Sequence, residues 1–256
     1  MDDEQQTESL RAWAFEAILA VAAVTLWPIL DERRRGTSSE RARALIFLPI
    51  IGLAIGVALA LADDALALAV SAVTRSILVL LIGIAISLGL AQRGIADTVE
   101  ALRRGGRLAS TGLARVGPIS ALTALAAFIF EVWCLARIHD QGSRSAAIVI
   151  AITLSRWSIV PIGYGLRPLE HWGLGIAFEG GLTFREFAVS SVVALGLMMG
   201  LYRNIGLLVI IAIALVILAL RLVFSRALGG ASGFALAGGC GIVEIAAIGI
   251  VALLSA

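Results

Sequence analysis

Runs of about twenty apolar residues, separated by short loops that carry arginine, limit what this chain can fold into more than any other feature. A helix needs roughly 20 mainly apolar residues to cross a bilayer. Hydrophobic residues make up 60% of the chain and charged residues 15%, whereas about a quarter of a soluble domain is charged. We predict an all-α, polytopic membrane bundle with eight transmembrane helices: Ala12–Leu30, Ala44–Ala62, Ala65–Leu90, Pro118–Ile138, Ala146–Gly165, Phe187–Leu201, Ile205–Phe224 and Phe234–Leu254.

These helices are expected to form one transmembrane domain over residues 1–256, because no polar linker is long enough to separate two soluble units. A short polar segment, residues 1–11, opens the chain. The first apolar run contains Glu16 and Pro28, and the sixth run is short. Seven spans are therefore the alternative, with the first run lying partly in the membrane interface.

The arginines indicate how the bundle is oriented. All 20 basic residues are arginine. If residues 31–43, 92–117, 166–186 and 225–233 share one side, that side collects 15 of them once the boundary residues Arg156 and Arg221 are included. Positively charged loops stay in the cytoplasm. We expect a multi-pass protein of a bacterial inner membrane with its functional loops, residues 91–117, 166–186 and 225–233, in the cytoplasm. The lipid bilayer is the expected partner, and a net charge of +2 gives no reason to expect nucleic acid.

Two carboxylates follow the third predicted span. Asp97 and Glu100 are three residues apart, so they would share one face of a helix. Paired carboxylates can hold Mg²⁺ together with a substrate phosphate, since Mg²⁺ prefers hard oxygen ligands. The alternative is an acidic first turn that interacts with a helix dipole.

Arginine and glycine dominate the other candidate loops. Arg103, Arg104, Arg107 and Arg115 precede a predicted helix start at Gly117–Pro118, where guanidinium groups suit phosphate or anionic lipid. Residues 172–181 and 226–233 are rich in glycine, which permits close approach to a ligand or simply a tight turn. Three glutamates lie within predicted spans, where ionisable groups suggest function or an interhelical contact: Glu16, Glu131 and Glu244.

In these loops the chain resembles the cobalamin-5′-phosphate synthase (adenosylcobinamide-GDP ribazoletransferase) family, in order and spacing, from about Trp27 to the C-terminus. The similar segments are Arg43–Gly52, Gly94–Thr98, Arg115–Pro118, Ser155–Arg156 with Gly173–Gly175 and Phe178 as a middle loop, Gly229–Gly233, and Glu244 of the final helix.

The resemblance implies a Mg²⁺-dependent transferase that joins a GDP-activated corrinoid to α-ribazole or its phosphate and releases GMP. It also implies roles for individual residues. Asp97 and Glu100 would be catalytic and would bind the metal. The residues that would bind substrate or phosphate are Gly94, Arg115, Gly117, Arg156, Gly173, Gly175, Gly229, Gly230, Gly233 and Glu244.

The chain also departs from the family at its acidic positions. The family's acidic motif reads His-x-Asp-Gly-x-x-Asp-x-x-Asp-Gly, and of its aspartates only Asp97 remains. The replacements are Ala91, Arg93, Glu100 and Ala101 in that motif, Leu113 before Arg115, and Phe234 after the glycine loop. Two functions follow: a divergent transferase, or an inactive paralogue that binds a corrinoid or nucleotide or serves as a subunit of another membrane complex.

Overall fold

The computed structural model describes residues 42–106, 117–169 and 182–255, apart from the side chains of residues 203–205. Several predicted features lie outside these residues: the span Ala12–Leu30, the candidate arginines Arg107 and Arg115, and the glycine-rich loop with Gly173 and Gly175. The described part is helical, as predicted, and the all-α class is confirmed. It contains α1 (Leu48–Leu66), α2 (Ala72–Ile86), α3 (Leu90–Arg103), α4 (Pro118–Ala136), α5 (Gln141–Gly163), α6 (Phe184–Val223) and α7 (Gly233–Leu254).

Polar residues at the helix starts define where the apolar runs become helical. The side-chain oxygens of Ser71, Asp140 and Ser232 accept hydrogen bonds from the backbone N–H groups of the first turns of α2, α5 and α7. Thr183 begins α6 with a capping box that Glu186 completes. Such caps satisfy N–H groups that have no partner inside the helix.

Six helices of the described chain are long and apolar enough to cross a membrane. Two of them, Phe184–Tyr202 and Gly206–Leu228, divide α6, and the second continues past the end of α6 at Val223. A Cβ on Gly206 would collide with the backbone carbonyl of Met198, although eight residues of straight helix span about 12 Å. The chain therefore doubles back here, which confirms the predicted break between the sixth and seventh spans.

The third predicted span, Ala65–Leu90, is wrong as a single straight helix. Its first residues belong to α1, and α2 has only 15 residues. A sharp bend of 82° then separates α2 from α3, and both Leu88 and Gly89 have positive φ at the bend. Together the two helices form at most one broken membrane span. The described residues therefore contain up to seven membrane spans. The bend lets the polar helix α3 leave the direction of α2.

Helix α5 forms the centre of the bundle and packs against α1, α6 and α7. Every residue from Ala147 to Gly163 is buried. Close approach to α1 depends on Gly52, where a Cβ would lie 2.9 Å from the carbonyl oxygen of Ile152. The outer helices instead expose large apolar side chains, as lipid-facing helices do; on α4 these include Ile119, Leu122, Leu125 and Ile129.

A buried ion pair joins the ends of α1 and α5. The Arg144 guanidinium donates to both carboxylate oxygens of Asp63 through Nε and Nη2, each at 2.9 Å to the nearer oxygen. Both side chains are fully buried. Arg144 also donates to Ser76 Oγ at 2.9 Å and to the Leu135 carbonyl, so this pair ties four helices together.

Candidate functional site

Three segments of the candidate loops meet at one end of the bundle. Gly106, just after α3, packs so closely on the Ala227 carbonyl that a side chain would not fit. Residues 167–169 pair with the glycine loop: the Ala231 N–H donates to Arg167 O at 2.9 Å, and the Leu169 N–H donates to Ala231 O at 3.0 Å. The structure therefore brings together described parts of all three candidate functional loops.

Helix α3 carries both candidate carboxylates, and tight packing on α7 fixes its position. Gly94 faces Ala237 and Gly238, and a Cβ at Gly94 would lie 2.7 Å from the Ala237 carbonyl carbon. The reciprocal contact is equally tight, since a Cβ at Gly238 would lie 2.5 Å from Gly94 O. Two glycines at a helix crossing allow the backbones to approach this closely. Gly94, expected to bind substrate, is a packing residue in this arrangement.

Asp97 lies one turn beyond Gly94 and is 8% exposed. Its Oδ2 is 3.5 Å from Arg93 Nε, an ion pair along α3. No residue in the described part of the chain donates a hydrogen bond to either carboxylate oxygen. The Arg93 guanidinium also lies over the Phe234 ring of α7, 5.4 Å from its centroid. The candidate metal ligand is therefore paired with a cation.

Glu100 is buried against the start of α4. Its Oε2 accepts a hydrogen bond from Ser120 Oγ at 2.6 Å, and its Oε1 accepts one from Arg104 Nε at 2.6 Å. Arg103 adds a longer contact of 3.4 Å. A Cβ at Gly117 would lie 2.8 Å from Oε2, so this glycine leaves room for the carboxylate beside the helix N-terminus, where negative charge is favourable.

These contacts do not fit a Mg²⁺ site. Both oxygens of Glu100 already accept hydrogen bonds, one from Arg104 and one from the Ser120 hydroxyl. Asp97 already forms an ion pair with Arg93. A divalent ion would have to displace these partners and would be repelled by the guanidinium groups. Among the described residues, no three histidine, cysteine, aspartate or glutamate side chains are grouped so as to hold a metal.

The glycine loop turns the chain from α6 into α7. Gly229 has φ of 77°, a conformation that glycine adopts without strain. Gly230 packs against the Arg167 carbonyl, and Gly233 is the first residue of α7. Exposed arginines surround this loop and α3, and we call them the arginine face: Arg93, Arg103, Arg104, Arg167 and Arg226.

Arg156 and Glu244 lie away from these loops, in the bundle interior. Arg156 is within α5, not in the middle loop or at the membrane boundary expected from the sequence. Its Nη1 is 3.6 Å from Glu244 Oε2 and 2.9 Å from Cys240 Sγ. Glu244 is eleven residues beyond Gly233, or roughly 16 Å along the helix, so it pairs across helices and does not orient the glycine loop.

Two contributions to this end of the molecule were missed from the sequence. Ser120, the main hydroxyl partner of Glu100, is the third residue of a helix whose start at Gly117–Pro118 was predicted, so its position was available as a signal. Arg221, counted only as a boundary charge, donates through Nη1 to the carbonyls of Pro161, Ile162 and Tyr164. It thereby stabilises the end of α5, and no periodicity in the sequence indicates that pairing.

Comparisons with known proteins confirm the family that the sequence motifs resemble. The model of the cobalamin-5-phosphate synthase family matches residues 16–252. The adenosylcobinamide-GDP ribazoletransferase of Roseiflexus sp. (strain RS-1) is 28% identical over 221 residues, 82% of this chain and 80% of that protein. The enzyme of the same name from Geotalea daltonii is 28% identical over 213 residues, 80% and 83% of the two chains. No solved structure matches. This chain belongs to the cobalamin-5-phosphate synthase family.

Proposed function

We propose that this protein binds adenosylcobinamide-GDP, or a related nucleotide-bearing corrinoid, at the arginine face and does not transfer it. The observation that carries the proposal is the pairing of both candidate carboxylates with arginine: Asp97 with Arg93 at 3.5 Å and Glu100 with Arg104 at 2.6 Å. A site in which the carboxylates are neutralised attracts phosphate but does not attract a divalent cation.

The balance of exposed charge supports binding of an anion. The five side chains of the arginine face are exposed, whereas Asp97 and Glu100 are buried beneath them. A diphosphate approaching this end of the molecule therefore meets guanidinium groups first. Guanidinium groups form paired hydrogen bonds with phosphate oxygens. The named relatives are transferases acting on adenosylcobinamide-GDP, which suggests the ligand.

One observation favours a second candidate function, the family's transfer reaction. The Asp97 oxygens are buried and accept no hydrogen bond from the described residues, and such atoms usually have a partner. A substrate group or an ion that met Asp97 during turnover would satisfy it. The two proposals differ in whether Asp97 is needed for a reaction.

Complementation separates the two proposals. A strain that lacks its cobalamin synthase is supplied with this chain, with its Asp97→Ala variant, or with the Geotalea daltonii relative as positive control. We expect the relative to restore cobalamin-dependent growth and this chain not to restore it. Growth restored by this chain and lost with Asp97→Ala would establish the transferase and contradict the binding proposal.

Binding itself is measured on the purified protein in detergent. Adenosylcobinamide-GDP is dialysed against the protein to equilibrium and followed by its visible absorption, with α-ribazole and Mg²⁺ added afterwards. We expect saturable binding and no product above the protein-free control. Failure to bind would leave only the accessory-subunit function, which co-purification of partner subunits from the native membrane would test.

For the location, we propose a bacterial inner membrane with the arginine face in the cytoplasm. The support is the concentration of arginine in the loops on this side. A cysteine introduced in place of Ser225, an exposed residue next to the arginine face, provides the test. It should react with a membrane-impermeant maleimide only after the cells are broken. Labelling in intact spheroplasts would show that the arginine face lies on the opposite side of the membrane.

A further inference from the structure

Arg93 is held in place by two contacts from different helices. Along α3, its Nε lies 3.5 Å from Asp97 Oδ2. Across the interface, its guanidinium stacks over the Phe234 ring in the first turn of α7, at 5.4 Å from the centroid. About half of the side chain remains exposed, 53%. Because Nε faces Asp97, the terminal nitrogens are the part of the guanidinium that a ligand can reach.

The two positions in this contact are both departures from the family's acidic pattern. Arg93 and Phe234 stand where the resemblance leads one to expect aspartate, and they touch each other. Carboxylates around this point would create a site for an added cation. A guanidinium over an aromatic ring instead supplies the cation from the chain, since a cation is attracted to the ring face.

We propose that the Arg93 guanidinium takes the place of a divalent ion and binds a phosphate group of the ligand directly. The inference rests on the proposed binding function and specifies its chemistry. A fork of N–H donors matches two phosphate oxygens, and the contacts with Asp97 and Phe234 reduce the side-chain entropy lost when a ligand binds. The neighbouring arginines of the arginine face add long-range attraction.

The effect of the Asp97 charge on phosphate binding distinguishes this proposal from a metal site. In a site that holds phosphate through a metal, the carboxylate is a ligand, and Asp97→Asn would weaken binding. In a site that holds phosphate through Arg93, the carboxylate competes with the phosphate for the same cation. Asp97→Asn should then strengthen binding by several-fold.

The experiment measures binding of GDP to the purified protein in detergent by isothermal titration calorimetry, with EDTA and again with excess Mg²⁺. We expect equal affinity in both conditions and a loss of about tenfold or more in Arg93→Gln, as befits a charged hydrogen bond. Arg137→Gln is the matched control. Arg137 also stacks on an aromatic ring, that of Trp133 at 5.0 Å, but it lies at the C-terminus of α4, away from the N-terminus of α4 that lies beside Glu100.

The other outcomes each overturn a defined part. Binding that requires Mg²⁺, or that Asp97→Asn abolishes, would refute the metal-free site while leaving the binding function intact. Equal loss in Arg93→Gln and Arg137→Gln would refute the specific role of Arg93. No GDP binding by the folded wild type in either condition would refute the proposed function as well; elution as a single species on gel filtration shows that each protein is folded.

An anionic lipid headgroup carries the same phosphate chemistry as a soluble nucleotide. The titration is therefore repeated in nanodiscs of phosphatidylcholine alone and in nanodiscs that also contain phosphatidylglycerol. Unchanged GDP affinity supports a soluble phosphate ligand at Arg93. Competition by phosphatidylglycerol that disappears in Arg93→Gln would show that the site binds phosphate from the lipid instead.

Discussion

Arginine meets a buried carboxylate at both ends of this bundle, but the two sites are built differently. At the Asp63 site both Asp63 and Arg144 are fully buried, and Nε and Nη2 of the guanidinium both donate to the carboxylate. At the Asp97 site the carboxylate is buried, its arginine is half exposed, and neither carboxylate oxygen accepts a hydrogen bond within the described chain.

The difference separates a structural ion pair from an open site. The desolvation of two charges is offset only when their hydrogen bonds are complete, and the Asp63 site meets this condition with Ser76 and the Leu135 carbonyl as further acceptors. The Asp97 site does not meet it, and helix packing holds its residues in place. A ligand could therefore interact with Arg93 without breaking a contact on which the fold depends.

Asp63→Asn should have the largest effect on stability. The substitution keeps the shape of the side chain but leaves the Arg144 charge buried without its counter-ion, which costs about 3–5 kcal/mol. The apparent Tm in detergent, followed by circular dichroism, measures the loss. Asp64→Asn is the matched control, because Asp64 is the next residue and is exposed. Equal Tm values for the two variants would contradict the comparison.

Gly94→Ala tests whether packing holds the Asp97 site. The new methyl group would lie 2.7 Å and 2.8 Å from atoms of Ala237, and the backbone cannot move away without separating α3 from α7. We expect a loss of about 1–3 kcal/mol in the same thermal measurement. Gly196→Ala serves as control, since nothing lies within 4 Å of a Cβ there. A neutral Gly94→Ala variant would show that the crossing has spare room.

Glu100→Gln should lower the stability by less than Asp63→Asn does and by more than Asp97→Asn does. The change weakens the contacts with Ser120 and Arg104, but water can solvate Arg104, whose side chain is 49% exposed. The Tm should fall by less than in Asp63→Asn. Arg103→Gln, which removes only the 3.4 Å contact, should leave the Tm nearly unchanged. If Glu100→Gln lowered the Tm as much as Asp63→Asn, Glu100 and Arg104 would be a second structural ion pair.

Asp97→Asn should have the smallest effect on stability and thereby sharpen the contrast with Asp63→Asn. The same chemical change removes a buried charge that has no hydrogen bond from the described residues and one half-exposed partner. The Tm should stay constant or rise slightly, because an uncharged amide is less costly to bury. A marked fall in Tm would mean that Asp97 supports the fold as Asp63 does.

Much of the architecture followed from apolar run length alone. The predicted spans that begin at Pro118, Phe187, Ile205 and Phe234 correspond closely to helices of the structure. The prediction failed at Ala65–Leu90, where hydropathy continues smoothly although the backbone bends by 82°. A sliding average of apolar character does not detect such a bend, because it depends on the conformation of Leu88 and Gly89.

The candidate site was predictable in its location and less so in its chemistry. The distribution of arginine placed the loop around Asp97 and the glycine loop on the same side of the membrane. The contacts between the loops, of Gly106 with Ala227 and of Ala231 with Arg167, come from the structure. Which arginine neutralises which carboxylate could not be read from spacing. Arg93, Arg103 and Arg104 all lie within reach of an acidic residue on one helix, and the packing of α4 and α7 decides among them.

The sequence by itself determined that this chain is a helical membrane protein with arginine concentrated at one end, because lipid imposes a length and a composition on every crossing segment. Tertiary structure alone decided what the charges do. Burial and distance made Asp63 with Arg144 a closed pair and left Asp97 with Arg93 open. Those quantities depend on how separate helices meet, and the order of residues along one helix does not contain them.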